Sequence, residues 1–129
     1  MSLTALNLSP EALKQYHPRE AVRRRRAETR VEVSRRRRRA LSVAHKAAEL
    51  LKSEFGASEV ILFGSLARRG SFTLFSDIDL AAGGIPPLRF YEAVGVVIGL
   101  SAEFKIDLAD LDDCSTTMRA TIAAEGKPL

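Results

Sequence analysis

The sequence predicts an α+β domain behind a long, arginine-rich helical arm. Three observations carry this. Helix-forming residues run from Arg19 to Phe55 without Gly, broken by no Pro. A short continuous apolar run, Val60-Ile61-Leu62-Phe63, then breaks the helical period. Two later segments, Asp77 to Ala81 and Phe104 to Leu108, alternate polar with apolar, as strands with one wet face do.

The elements follow in order. Ser9-Pro10-Glu11 is a helix start with Pro at the first helical position, and Pro18 limits that first short helix. Residues ~19–54 read as one long helix or two abutting ones. Its first half holds the runs Arg23 to Arg26 and Arg35 to Arg39, with Glu28 and Glu32 spaced to pair with flanking arginines at i,i+4. Its second half is amphipathic: Leu41, Ala44, Ala48 and Leu51 share a stripe, with Ala47 and Leu50 beside it. Gly56 fits a helix stop. Val60 to Phe63 reads as a buried strand ending at Gly64-Ser65, with a helical turn over Leu66 to Arg69. Gly83 to Pro87 reads as a linker, ~88–100 as a helix weakened by Gly95 and Gly99, and Ser115 as the N-cap of a last helix ending near Gly126.

Composition narrows the function classes. The single cysteine, Cys114, can form no internal disulfide and no cysteine metal site, which points to a reducing, cytoplasmic setting. No apolar run approaches the ~20 residues that cross a bilayer, and no secretory signal is visible at the N-terminus, so no membrane role is expected. The net charge of +4 hides a split. Residues 1–55 carry 14 Lys/Arg and 6 Asp/Glu, whereas residues 56–129 carry 6 and 10. A basic arm, residues 1–39, thus precedes a mildly acidic body, residues 40–129.

The acidic residues suggest chemistry. On a strand, side chains at i and i+2 share a face, so Asp77 and Asp79 stand side by side, ~7 Å apart at Cα. Ile78 and Leu80 point the other way. Bare neighbouring carboxylates repel, and a divalent cation removes that cost. Magnesium suits such a site, because it prefers carboxylate oxygen plus substrate phosphate. Asp107 has the same local design. If its strand lies beside the first, three carboxylates converge in a two-metal phosphoryl-transfer arrangement. Gly64 lets the backbone approach an anion, Ser65 can donate its hydroxyl, and Arg68 lies one turn on.

These residues resemble a known signature. Phe63-Gly64-Ser65-Leu66-Ala67-Arg68-Arg69-Gly70, followed by Ser76-Asp77-Ile78-Asp79-Leu80, is similar to the Gly-Ser, spacer, Asp-x-Asp pattern of DNA polymerase β-like nucleotidyltransferases. More narrowly it resembles the MNT group of minimal nucleotidyltransferases, with Asp107 at the third family aspartate and Arg119 through Ile122 to Glu125-Gly126 as the ending. The resemblance covers roughly residues 40–129. The spacer from Leu66 to Ser76 is one residue longer than is common in the group, with the extra residue at Arg69. The arm lies outside the pattern.

The resemblance implies a small mixed β-sheet with helices packed on it, and a transfer of AMP from ATP. Asp77 and Asp79 would hold Mg²⁺ and the triphosphate. Asp107 would hold a second ion or deprotonate the acceptor, and Gly64, Ser65 and Arg68 would bind nucleotide. MNT proteins pair with HEPN-domain toxins. The implied role is therefore an antitoxin that adds AMP to a tyrosine of a HEPN ribonuclease. Two alternatives stay open: the same scaffold blocking the toxin by contact alone, and nucleotide addition to RNA guided by the basic arm. The stretch Arg23–Arg39 reads first as a solvated helical face or frayed arm, then as a docking face for an acidic protein, then as a nucleic-acid contact. Phosphate contacts would make affinity fall steeply between ~50 and ~200 mM salt. His17 and His45 read as surface or packing residues, and Cys114 as inert.

Overall fold

The computed structural model describes residues 17–129, so the first short helix expected after Ser9 lies outside the described residues. Helix α1 is continuous over Pro18–Phe55. Strand β1 spans Glu59–Phe63, β2 Ile78–Gly83, helix α2 Pro87–Ile98, β3 Ile106–Asp110, helix α3 Thr116–Glu125, and β4 Lys127–Pro128. Short 3₁₀ turns follow β1 (Gly64–Leu66) and β3 (Leu111–Asp113). By internal packing the chain divides into a unit that ends at Glu32 and a unit over Val33–Leu129.

The sheet is mixed, in the order β3-β2-β1-β4. β1 runs antiparallel to β2 and to β4, while β2 and β3 are parallel. A parallel pair needs a crossover, and α2 supplies it. The expected α+β class and mixed sheet are therefore present.

Alternation along the strands splits the apolar residues between two faces. Val60, Leu62, Ile78, Leu80, Ala82 and Ile106 join one core with α1 and α2. Ala81, Ile61, Phe63 and Ala109 face the other side, where Leu111 and Ile122 cover them. Each fully buried Leu or Ile in the larger core contributes about 1.5–3 kcal/mol. The buried line of α1 is Ala40, Ala44, Ala47, Ala48, Leu51 and Phe55. Leu41 and Leu50 lie at its margin, only partly buried. The stripe read from the sequence is thus rotated slightly, because alanines allow a closer approach to the sheet than leucines do.

Local signals hold at the ends of elements. Gly56 takes φ +73 after α1, where only Gly is unstrained, and Ala57 N–H reaches back to the Leu51 carbonyl. Ser115 caps α3 by accepting from Met118 N–H at 3.1 Å.

Three readings change and one element is added. Gly83 belongs to β2, not to a linker. β3 starts at Ile106 and runs to Asp110, two residues later than the alternation suggests, since Phe104 is buried in the core before pairing begins. β4 has no two-residue periodicity to reveal it; it is an edge strand holding Pro128, a position that tolerates proline. Among the described residues, Glu28 and Glu32 form no ion pair with an arginine.

The second arginine run also departs from a purely exterior role. The Arg36 side chain is only 17% exposed. Its guanidinium lies 4.4 Å from the Phe104 ring centre and 6.0 Å from that of Phe72. It donates to the Ser76 carbonyl at 3.3 Å. Its neighbour Arg39 donates to Glu103 at 2.8 Å.

Candidate active site

Strand register brings the candidate carboxylates together. Asp79 is opposite Asp107 on β3 and opposite Phe63 on β1. Both aspartates lie on the face away from the larger core, because Ile78, Leu80 and Ile106 occupy that core. Ile122 of helix α3 and Leu111 cover this second face at Ala81, with Ile61, Phe63 and Ala109 packed against them. Beyond them Asp107 is exposed and Asp79 partly exposed.

Asp77 immediately precedes β2 and is half-buried. It is delivered by the loop from Ser71 to Ser76, which Phe72 anchors in the core. Thr73 N–H donates to Ser76 Oγ at 2.9 Å across this loop. The Ile78 N–H bonds to the Lys105 carbonyl at 2.9 Å and ties the loop's exit to the approach to β3.

The Gly-Ser turn presses on Asp79. Gly64 has φ +73, and a Cβ built there would overlap Asp79 Oδ2. Glycine is required twice over: for the left-handed backbone and for the space. The Ala67 and Arg68 N–H groups close the turn on the Gly64 carbonyl at 3.1 and 3.2 Å. Ser65 sits within the turn, partly exposed.

Burial and like charge act together on Asp79. Asp79 is held above its ordinary value of 3.8, chiefly by burial, then by the charges of Asp107, Asp77 and Glu125, with Lys105 acting the other way. Lys105 Nζ is 3.8 Å from Asp107 Oδ1, but both side chains are exposed and the pair is weak. The expected convergence is partial. Asp79 and Asp107 adjoin and Asp77 is close enough to repel, yet among the described residues no three His, Cys, Asp or Glu side chains form a ready metal-holding group. The donor set is hard oxygen with surplus negative charge, which fits Mg²⁺ completed by substrate phosphate oxygens.

Sequence reading missed one participant. Glu125, at the end of α3, accepts from the Gly64 N–H at 3.1 Å and lies 3.7 Å from Arg68 Nε. Arg68 therefore meets a carboxylate of the chain itself. Only the ending Glu125-Gly126 could have hinted at it; nothing local joins two residues this distant in sequence.

Comparison with known proteins fits this geometry. The family model described as polymerase beta, nucleotidyltransferase matches residues 45–129. Among solved structures, a toxin–antitoxin complex with AMP-PNP contains a chain 25% identical, with a TM-score of 0.56, covering 66% of this chain and 70% of that one. A mutant MntA–HpeT toxin–antitoxin complex contains one 27% identical, with a TM-score of 0.54, covering 66% and 69%. A tri-AMPylated Shewanella oneidensis HEPN toxin in complex with MNT antitoxin gives 22% identity, a TM-score of 0.53 and coverage of 69% and 70%. That last likeness speaks to the fold alone. Comparison with curated proteins gives no match. With its mixed sheet, its Gly-Ser turn against Asp79 and a family model matched over residues 45–129, the chain belongs to the polymerase beta nucleotidyltransferase family.

Proposed function

We propose that this chain is a Mg²⁺-dependent nucleotidyltransferase that moves AMP from ATP to a tyrosine hydroxyl of a cognate HEPN toxin, and so acts as its antitoxin. In this reading residues 40–129 carry the chemistry and residues 1–39 form the basic arm. The observation that carries it is the side-by-side register of Asp79 and Asp107 on an open sheet face, with Gly64 packed against Asp79. The partner and the donor are inferred from the neighbours: one complex contains AMP-PNP, another an AMPylated HEPN toxin.

The residues divide the work. Asp77 and Asp79 would hold Mg²⁺, with Asp107 taking a second ion or the proton of the attacking hydroxyl. When bound, the metal neutralises charge on the triphosphate and on the departing pyrophosphate. Ser65 would hold the triphosphate close to Asp79 through its hydroxyl, and Gly64, whose own N–H is donated to Glu125, would allow the close approach of the turn. Arg68 would add positive charge to the same turn. Asp79, whose pKa is raised by burial and by the charges of Asp107, Asp77 and Glu125, would gain from a bound cation. Catalysis on this scaffold comes from positioning and electrostatic stabilisation rather than from a covalent enzyme intermediate.

The test is transfer of label from α-labelled ATP to the toxin. Replacing both Asp77→Asn and Asp79→Asn should lower the rate by on the order of 10³-fold or more while circular dichroism stays unchanged. Undiminished transfer by that variant would refute the assignment.

A further inference from the structure

Glu125 occupies an electrostatically expensive position. It ends α3, where the helix dipole disfavours negative charge. It is also one of the charges that raise Asp79. Its side chain is only 20% exposed, so solvent screens little of this. A basic or apolar residue would serve the stability of the helix end better. What the carboxylate gains is two partners on one turn: the Gly64 N–H at 3.1 Å and Arg68 Nε at 3.7 Å. Its own backbone is tightly set. A Cβ at the next residue, Gly126, would overlap both the Ile122 carbonyl and the Ile61 side chain, so the end of α3 lies directly against β1. Gly64 thus meets both carboxylates, with its Cα against Asp79 and its N–H donated to Glu125.

We propose that Glu125 is a positioning residue for nucleotide transfer: from the last turn of α3 it pins the Gly64 N–H and Arg68, and so fixes the turn that receives the triphosphate beside Asp79. The proposal rests on the nucleotidyltransferase reading. It adds a residue that touches neither metal nor reacting atoms and acts through the turn. A charge-assisted bond to a backbone N–H is among the stronger and more directional contacts available. Misplacement of binding groups by about 1 Å can cost on the order of 10²-fold in rate.

The experiment compares wild-type, Glu125→Ala and Glu125→Gln full-length chains. It reads hydrogen exchange of the Gly64 amide, affinity for a fluorescent ATP analogue with Mg²⁺, and AMP transfer. Glu125→Ala should lose protection at Gly64 and lose roughly 10²-fold in transfer. Glu125→Gln keeps an acceptor for the Gly64 N–H. It should keep that protection and recover about tenfold of the lost rate. Circular dichroism restricts the comparison to folded protein. If Glu125→Ala exchanges Gly64 and transfers AMP as wild type does, or if Glu125→Gln is as impaired as Glu125→Ala in both, the positioning role is wrong. If wild type itself neither binds the analogue nor transfers AMP, the underlying transferase reading fails instead, and the proposal with it.

Discussion

Asp79 is placed where it weakens the fold and serves the site. Burial and three neighbouring carboxylates raise its pKa above 3.8, so ionising it in the folded chain is harder than in the unfolded one. A raised carboxyl binds its proton more tightly when folded, so stability falls as pH rises from the ordinary value through the raised one. Asp79→Asn should therefore raise the melting temperature in metal-free buffer at neutral pH, and the gain should vanish as pH drops to about 4 and below. Scanning calorimetry against pH checks this; a melting temperature lowered at neutral pH would contradict it. Gly64 has the opposite character. Gly64→Ala forces a non-glycine residue to φ +73 and drives a methyl into the Asp79 carboxylate. It should destabilise by about 1–2 kcal/mol from the backbone alone, with further loss from the overlap. Urea unfolding measures the first effect, and ATP binding should be lost with it.

At this scale the sequence was informative where chemistry is written in local spacing. Gly64, Ser65, Asp77 and Asp79 stand in one short stretch, and a two-residue strand period predicts both aspartates on one side, although β2 begins only after Asp77, at Ile78. Asp107 could be matched by pattern, but its place beside Asp79 depends on register, which no single strand encodes. Glu125 was not recognised because its bond to Gly64 spans 61 residues.

Among the elements, α1 shows how one composition can serve two physical roles. Arg25 and Arg36 look alike in their runs, each flanked by arginines. Arg25 is exposed, whereas Arg36 lies over Phe104 and bonds Ser76, the residue before Asp77. Nothing within a string of five arginines marks which one faces the core; that follows from the helical phase set by Ala40, Ala44 and Ala47 further along. Arg36→Ala removes a cation–π contact and a partly buried hydrogen bond, so it should cost about 2–3 kcal/mol. Arg25→Ala should stay within about 0.5 kcal/mol. Equal effects in paired chemical denaturation curves would contradict the distinction. The Gly56 stop and the Ser115 cap were legible because a helix end uses residue-specific backbone chemistry. The rotation of the α1 stripe and the existence of β4 were not, since both depend on what the element meets.

For the whole molecule, the sheet separates the larger core from the candidate site. One face is closed by α1 and α2 around Leu51, Leu62, Ile78, Leu80 and Ile106. The other face is closed by α3 only in part, leaving Asp79 and Asp107 open at the end where the Gly-Ser turn approaches. Along the sequence, the basic excess lies in residues 1–55 and the acidic excess in residues 56–129. The most direct test is intact-mass spectrometry of a purified HEPN-domain toxin after incubation with this chain, ATP and Mg²⁺. The account predicts increments of AMP on the toxin with wild-type chain and none with Asp77→Asn/Asp79→Asn. A toxin whose ribonuclease activity is silenced while its mass stays unchanged would contradict it.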